Sequence, residues 1–212
     1  MVNPENIKNF FQLLNSENIK YLLIKNDRNL IPYSIADGKD VDILVHPDHY
    51  ENFLHTVLNS GFERLPGESE KYFFLYKMRP DIYLCKDDAY FHVYEKLSCV
   101  SFTNMGLSKI PLDNFIQDYI WKNRVWDENN LWWIADDRIV LLYLIVRSIF
   151  DKKIFRKTYI QEIELRNNFT KDYQFLKLCK PVFFKYTDRL IKLIELKKYD
   201  EILEDYQHFC DY

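Results

Sequence analysis

Gly38-Lys39-Asp40-Val41-Asp42-Ile43-Leu44-Val45 is the stretch on which the reading of this chain turns. Its second half is apolar and β-branched, as in a buried strand. On a strand, residues two apart share a face. Asp40 and Asp42 therefore project together, while Val41 and Ile43 point the other way. Two carboxylates this close repel when ionised, so holding them together costs free energy unless a cation or strong donors compensate. A hard divalent ion such as Mg2+ is the natural partner, because it prefers oxygen ligands. A solvated strand end would also read Asp-x-Asp. Three neighbours favour the functional reading: a glycine-containing loop before the pair, an earlier strand at 21–24, and a helix immediately after.

Working outward, Asn3 caps a helix with Pro4 at its first position, and Ile7, Phe10, Phe11, Leu13 and Leu14 form its stripe to about Ser16. Residues 21–24 read as a buried strand and 26–39 as a loop. Pro47 opens a helix whose apolar face is Tyr50, Phe53, Leu54, Val57 and Leu58, with Gly61 at its C-terminal end. Residues 62–65, 72–78, 81–85, 90–94 and 100–103 read as strands or hairpins, with Asp87-Asp88 as a turn. After Pro111 the chain reads as helices over 112–121, 136–150, 159–165, 173–178, 182–196 and 199–209. The expectation is an α+β chain, with residues 1–110 as its core and 111–212 as a helical C-terminal part.

That order of helix, strand, loop, Asp-x-Asp strand and helix resembles the polymerase-beta-like nucleotidyltransferase superfamily. The wording Ile19-Lys20-Tyr21-Leu22-Leu23-Ile24-Lys25-Asn26, followed by the segment at 38–45, is similar to bacterial nucleotidyltransferase-like proteins, some linked to surface-polysaccharide biosynthesis. The resemblance is clearest over 4–65 and looser to about 160. It implies a mixed or antiparallel sheet flanked by helices, with Asp40 and Asp42 as metal ligands. It implies a third acid from a later strand, and Asp81 in Arg79-Pro80-Asp81-Ile82-Tyr83-Leu84-Cys85 is the best match. The implied cofactor is Mg2+ (or Mn2+). The implied substrates are a nucleoside triphosphate and a small-molecule or glycan-related acceptor.

The sequence departs from that pattern after its first strand. The superfamily places Gly-Ser or Gly-Gly there; this chain has Lys25-Asn26-Asp27-Arg28. Lys25 offers phosphate a point charge, and Arg28 a bidentate contact. Lys39 is either a phosphate contact or an exposed loop lysine. Arg147, inside an apolar helix, either pairs with an aspartate or points toward phosphate, and Lys152 lies beside it near the helix end. Two functional readings follow. One is an enzyme using Asp40, Asp42 and Asp81 with Lys25, Arg28, Lys39, Arg147 and Lys152. The other is a catalytically degenerate fold acting as a binding or regulatory module.

Composition narrows the field. Of 212 residues, 48% are hydrophobic and 29% charged, with a net charge of −3. The absence of a basic excess argues against nucleic acid as the partner. Four scattered cysteines indicate reduced thiols rather than a disulfide framework. No signal-like start or membrane-length apolar run is present, so a cytoplasmic location is expected. His46 ends a strand, and His49 and His55, six apart on the next helix, lie on different faces, so the three make a poor zinc set. His92, in an alternating aromatic strand, reads as structural. Trp132-Trp133 reads as core between the two parts. No phosphate loop, dinucleotide glycine pattern or Ser-His-Asp order occurs.

Overall fold

The computed structural model describes residues 2–26, 30–36, 38–66 and 71–209. Helix α1 (Pro4–Ser16) starts where Asn3 accepts a hydrogen bond from the Glu5 amide. Strands β1 (Tyr21–Leu23) and β2 (Asp40–Val45) follow, then a 3-10 turn at Pro47–His49 and helix α2 (Tyr50–Asn59). Next come β3 (Glu63–Leu65), β4 (Phe73–Phe74), β5 (Ile82–Lys86), β6 (Ala89–Tyr94), β7 (Ser98–Thr103) and β8 (Gly106–Pro111). The chain continues through α3 (Asn114–Lys122), β9 (Val125–Asp127), β10 (Trp132–Ile134) and α4 (Asp137–Val146). A π-helical segment at Arg147–Lys152 extends α4. Helices α5 (Lys157–Leu165), α6 (Tyr173–Phe183), α7 (Thr187–Glu195) and α8 (Tyr199–Phe209) complete it.

The main sheet has seven strands in the order β3-β5-β6-β2-β1-β10-β9. It is mixed: β2 runs parallel to β6 and β1 parallel to β10, while the remaining neighbours are antiparallel. A smaller sheet, β4-β8-β7, stands apart from it. The period of two seen at 40–45 decides which side each residue serves. Val41, Ile43 and Val45 join Phe10, Phe11 and Phe53 of α1 and α2 in one core. Leu44 lies on the opposite face, in the core built around α4. Asp40 and Asp42 share that second face.

Helix α4 is apolar on all sides, and every residue from Ile139 to Val146 is buried. Such a helix has to be covered by others. Leu178, Leu190, Ile194 and Ile202 from α6, α7 and α8 pack in the same cluster. Among the described residues no helix is long and apolar enough to cross a membrane.

The architecture is thus a mixed sheet flanked by helices with a helical C-terminal region, as expected from the sequence. Three local expectations need correction. The run at 72–78 forms only the two-residue β4, because Tyr76 and Lys77 adopt left-handed backbone (φ 55° and 56°) and turn the chain. The stretch after Pro111 is not all helical: β9 and β10 return to the sheet, with Leu23 paired to Ile134. The helix expected over 136–150 gives way at Arg147 to the wider π turn.

Candidate functional site

Parallel pairing of β2 and β6 sets Asp42 opposite His92. His92 Nδ1 lies 3.6 Å from Asp40 Oδ2 and 3.4 Å from Asp42 Oδ1. Ligand atoms each about 2.1 Å from one ion stand roughly 3.0 to 3.5 Å apart at octahedral or tetrahedral angles. The spacing to Asp42 falls within that range, and the spacing to Asp40 lies just beyond it. Among the described residues, Asp40, Asp42 and His92 are the group whose ligand atoms gather closely enough to hold one ion, all within 4.8 Å.

Tyr94, two residues along the same face of β6, ties this group to the helical region. Its hydroxyl donates to Asp42 Oδ1 (2.8 Å), shares a hydrogen bond with His92 Nδ1 (2.7 Å) and accepts from Arg147 Nη1 (3.2 Å). Arg147 also donates to the Tyr143 hydroxyl at 2.9 Å. Burial works against ionisation of Asp42. The hydrogen bond from His92 and the charges of Arg147, His92 and Lys25 outweigh it, holding the Asp42 carboxyl at about 2. Burial likewise opposes a charge on His92, but its contacts with Asp42 and Asp81 raise its pKa above the ordinary imidazole value. Without a metal, a proton held on His92 would supply part of the compensating charge that two close carboxylates need.

Asp81 lies just before β5, buried at the same cleft. It sits on the far side of the His92 ring from Asp40 and Asp42: His92 Nε2 is 3.4 Å from Asp81 Oδ2. Its carboxylate also accepts a hydrogen bond from Lys109 of β8. The Lys109 ammonium is framed by the rings of Tyr72 and Tyr94, 5.2 and 5.6 Å from their centroids. Asp81 therefore reaches Asp40 and Asp42 through His92. A carboxylate on Nε2–H keeps Nδ1 turned toward the acids, an arrangement that orients and strengthens a metal-ligating histidine.

The cleft above these groups has a volume of about 600 Å³. Lys25, Lys39, Arg147 and Lys152 all line it, as does Arg156. Lys25 stands 5.1 Å over the Tyr159 ring. Arg147 does both things weighed for it: Nε pairs with Asp151 Oδ2 at 3.3 Å, and the side chain lines the cleft. Burial and the neighbouring charges of Arg147 and Arg156 lower the pKa of Lys152. Burial raises that of Asp151 despite Arg147. Arg28 lies outside the described residues.

Sequence reasoning missed His92, Lys109 and Arg156. His92 carried one usable signal. In Phe91-His92-Val93-Tyr94 the polar residues alternate with buried apolar ones, as the aspartates do at 40–43. What the sequence lacks is the pairing of β2 with β6, which brings together residues 50 positions apart.

The chain matches no protein-family model and no curated protein sequence. Its fold can be compared with solved structures. The solution structure of the antibiotic-resistance factor ANT(2'')-Ia superposes with a TM-score of 0.48 and 6% identity, covering 97% of each chain. The crystal structure of ANT(2'')-Ia with adenylyl-2''-tobramycin gives 0.48 and 6% over 92% of this chain and 98% of that one. An antigenic nucleotidyltransferase-like protein from Paracoccidioides brasiliensis gives 0.45 and 14% over 92% of each. Likeness this distant carries no inference about substrate or activity.

Proposed function

We propose that the protein is a metal-dependent nucleotidyltransferase-like enzyme. It would move a nucleotidyl, or related phosphoryl-linked, group from a nucleoside triphosphate to a small-molecule or glycan-related acceptor. The observation that carries this reading is the meeting of Asp40, Asp42 and His92 at ion-sharing distances in a cleft lined by Lys25, Lys39, Lys152 and Arg156. Acids for a cation beside cations for an anion is what a metal–polyphosphate complex requires.

In this reading Asp40 and Asp42 hold a divalent ion, Mg2+ or Mn2+, and His92 completes the set from this chain. When bound, that ion supplies neutralisation of the charge on the transferring phosphoryl group and the leaving pyrophosphate. Asp81 positions His92. Lys25, Lys39, Lys152 and Arg156 receive the phosphates, and Arg28 is assigned the same duty. Arg147 fixes Tyr94 and through it Asp42. The metal residues thus come from within 1–110, and three of the cations, Arg147, Lys152 and Arg156, from within 111–212. Tyr72 and Phe74 also line the cleft, and in this reading they give an acceptor, a sugar ring among them, aromatic surface to pack against. A cytoplasmic setting, with its nucleoside triphosphates, and a role in polysaccharide biosynthesis fit this reading.

A second reading is favoured by one observation: Asp81 is already paired with Lys109, and His92 lies between it and the other acids. Internal cations holding the acids are also what a binding module with a lapsed active site would keep.

A thermal-shift panel separates the two. Nucleoside triphosphates with Mg2+ or Mn2+ should raise the melting temperature of the protein. Asp42→Asn should lose the metal-dependent part of that rise. An equal rise in the variant would sink the metal role. Product analysis with candidate acceptors then tests transfer; binding without turnover would select the module.

A further inference from the structure

Resting on the metal-site reading above, we infer that the resident ion is a first-row transition ion held through the His92 imidazole nitrogen, that Mg2+ is a poor substitute, and that Mn2+, the weakest-binding member of that series, is a stringent probe of the preference. The donor set decides this. Asp40 and Asp42 contribute oxygen, but the third donor facing them is His92 Nδ1, at 3.6 and 3.4 Å. Mg2+ demands near-ideal octahedral oxygen coordination, whereas imidazole suits transition metals, whose affinity for nitrogen-bearing sites rises along the first-row series from Mn2+.

His92 is built for that duty. It is buried and stacked on Tyr83, with ring centroids 4.1 Å apart, so its plane is fixed. Asp81 stands at Nε2 and Lys109 in turn holds Asp81. With Nε2 engaged by a carboxylate, the nitrogen left to a metal is the one aimed at Asp40 and Asp42. The third acid of the sequence reading does not compensate, because Asp81 lies behind the ring and reaches the site only through it. Tyr94 remains as donor to Asp42 when the His92 Nδ1 contact is given up to an ion.

The test uses the full chain and Mn2+ alone. Pulsed electron paramagnetic resonance of bound Mn2+ should show modulation from a directly coordinated 14N nucleus. His92→Asp should abolish that modulation while still binding Mn2+, and His46→Gln should keep it. In competition titrations Mg2+ should displace Mn2+ from the unaltered protein only at an excess of roughly tenfold or more, and His92→Asp should narrow that gap. Mn2+ bound without nitrogen modulation, or Mg2+ competing on equal terms, would overturn this inference and leave a carboxylate metal site standing. Failure of the unaltered protein to bind either ion, with or without a nucleoside triphosphate, would overturn both. The unaltered protein's own spectrum decides the matter even if His92→Asp does not fold.

Discussion

His92 and Asp42 are a compensated pair, and the compensation has a pH window. The folded pKa of Asp42, at about 2, lies below its ordinary 3.8. Its contribution is present above the ordinary value and lost as pH falls through the folded one, a difference worth about 2 kcal/mol. His92 has the opposite sign. Its folded pKa is raised above the ordinary 6.5, so its contribution is full below that value and lost as pH climbs through the folded one. In metal-free protein the pair should contribute most between about pH 4 and 6.5. Urea midpoints across pH should fall off on both sides, and His92→Gln should flatten the alkaline limb. If the limb is unchanged, His92 is not the group responsible. Asp81→Asn should weaken Mn2+ binding by about 10- to 100-fold, since it removes the carboxylate that orients the ligand. Calorimetric titration would measure it; unchanged affinity would strip Asp81 of its positioning role. Asp40 and Asp42 were legible in the sequence because they lie two apart on one strand, so local periodicity suffices. His92 was not, because its partners lie on a different strand and only the β2–β6 register joins them.

At the scale of elements, the π segment at Arg147–Lys152 is what delivers charge from an apolar helix into the cleft. Arg147, at its start, donates to Tyr94 and Tyr143, and Asp151 serves two partners at once: the Arg147 guanidinium and the Val100 amide of β7, at 2.9 Å. Asp151→Ala takes both away and strands a buried guanidinium. The expected loss of stability is about 3 kcal/mol, seen as a lower urea midpoint with an unchanged slope. A loss under about 0.5 kcal/mol, the usual range for surface changes, would mean that Arg147 finds full compensation in Asp42 and the two tyrosines. The sequence held half of this. An arginine inside an apolar run needs a reason, and a basic cluster near a helix end is visible. The π turn has no composition of its own, since Arg147-Ser148-Ile149-Phe150 would also continue an ordinary helix. The hairpin of β9 and β10 went unread for a similar reason. Its strands are three residues each, and Trp132-Trp133-Ile134 is too short for a period to emerge.

For the molecule as a whole, the change of composition near residue 110 is easily read, but the packing crosses it. Leu22, Ile24, Leu44 and Tyr94 share a core with α4, and β10 completes the sheet beside β1. A fragment ending at residue 110 would expose that face. It should show no cooperative urea transition and should bind a hydrophobic dye. A sharp transition with a native-like near-ultraviolet spectrum would show instead that the first part folds alone. The pairing of Leu23 with Ile134 has a consequence in time. A ribosome adds roughly 5 to 20 residues per second, so about 100 residues separate the emergence of β2 from that of Arg147 by roughly 5 to 20 s. Throughout that interval the nascent chain carries its aspartates and the apolar surface beside them uncovered. Translation speed between codons 45 and 147 therefore sets how long that face waits for the helix that covers it.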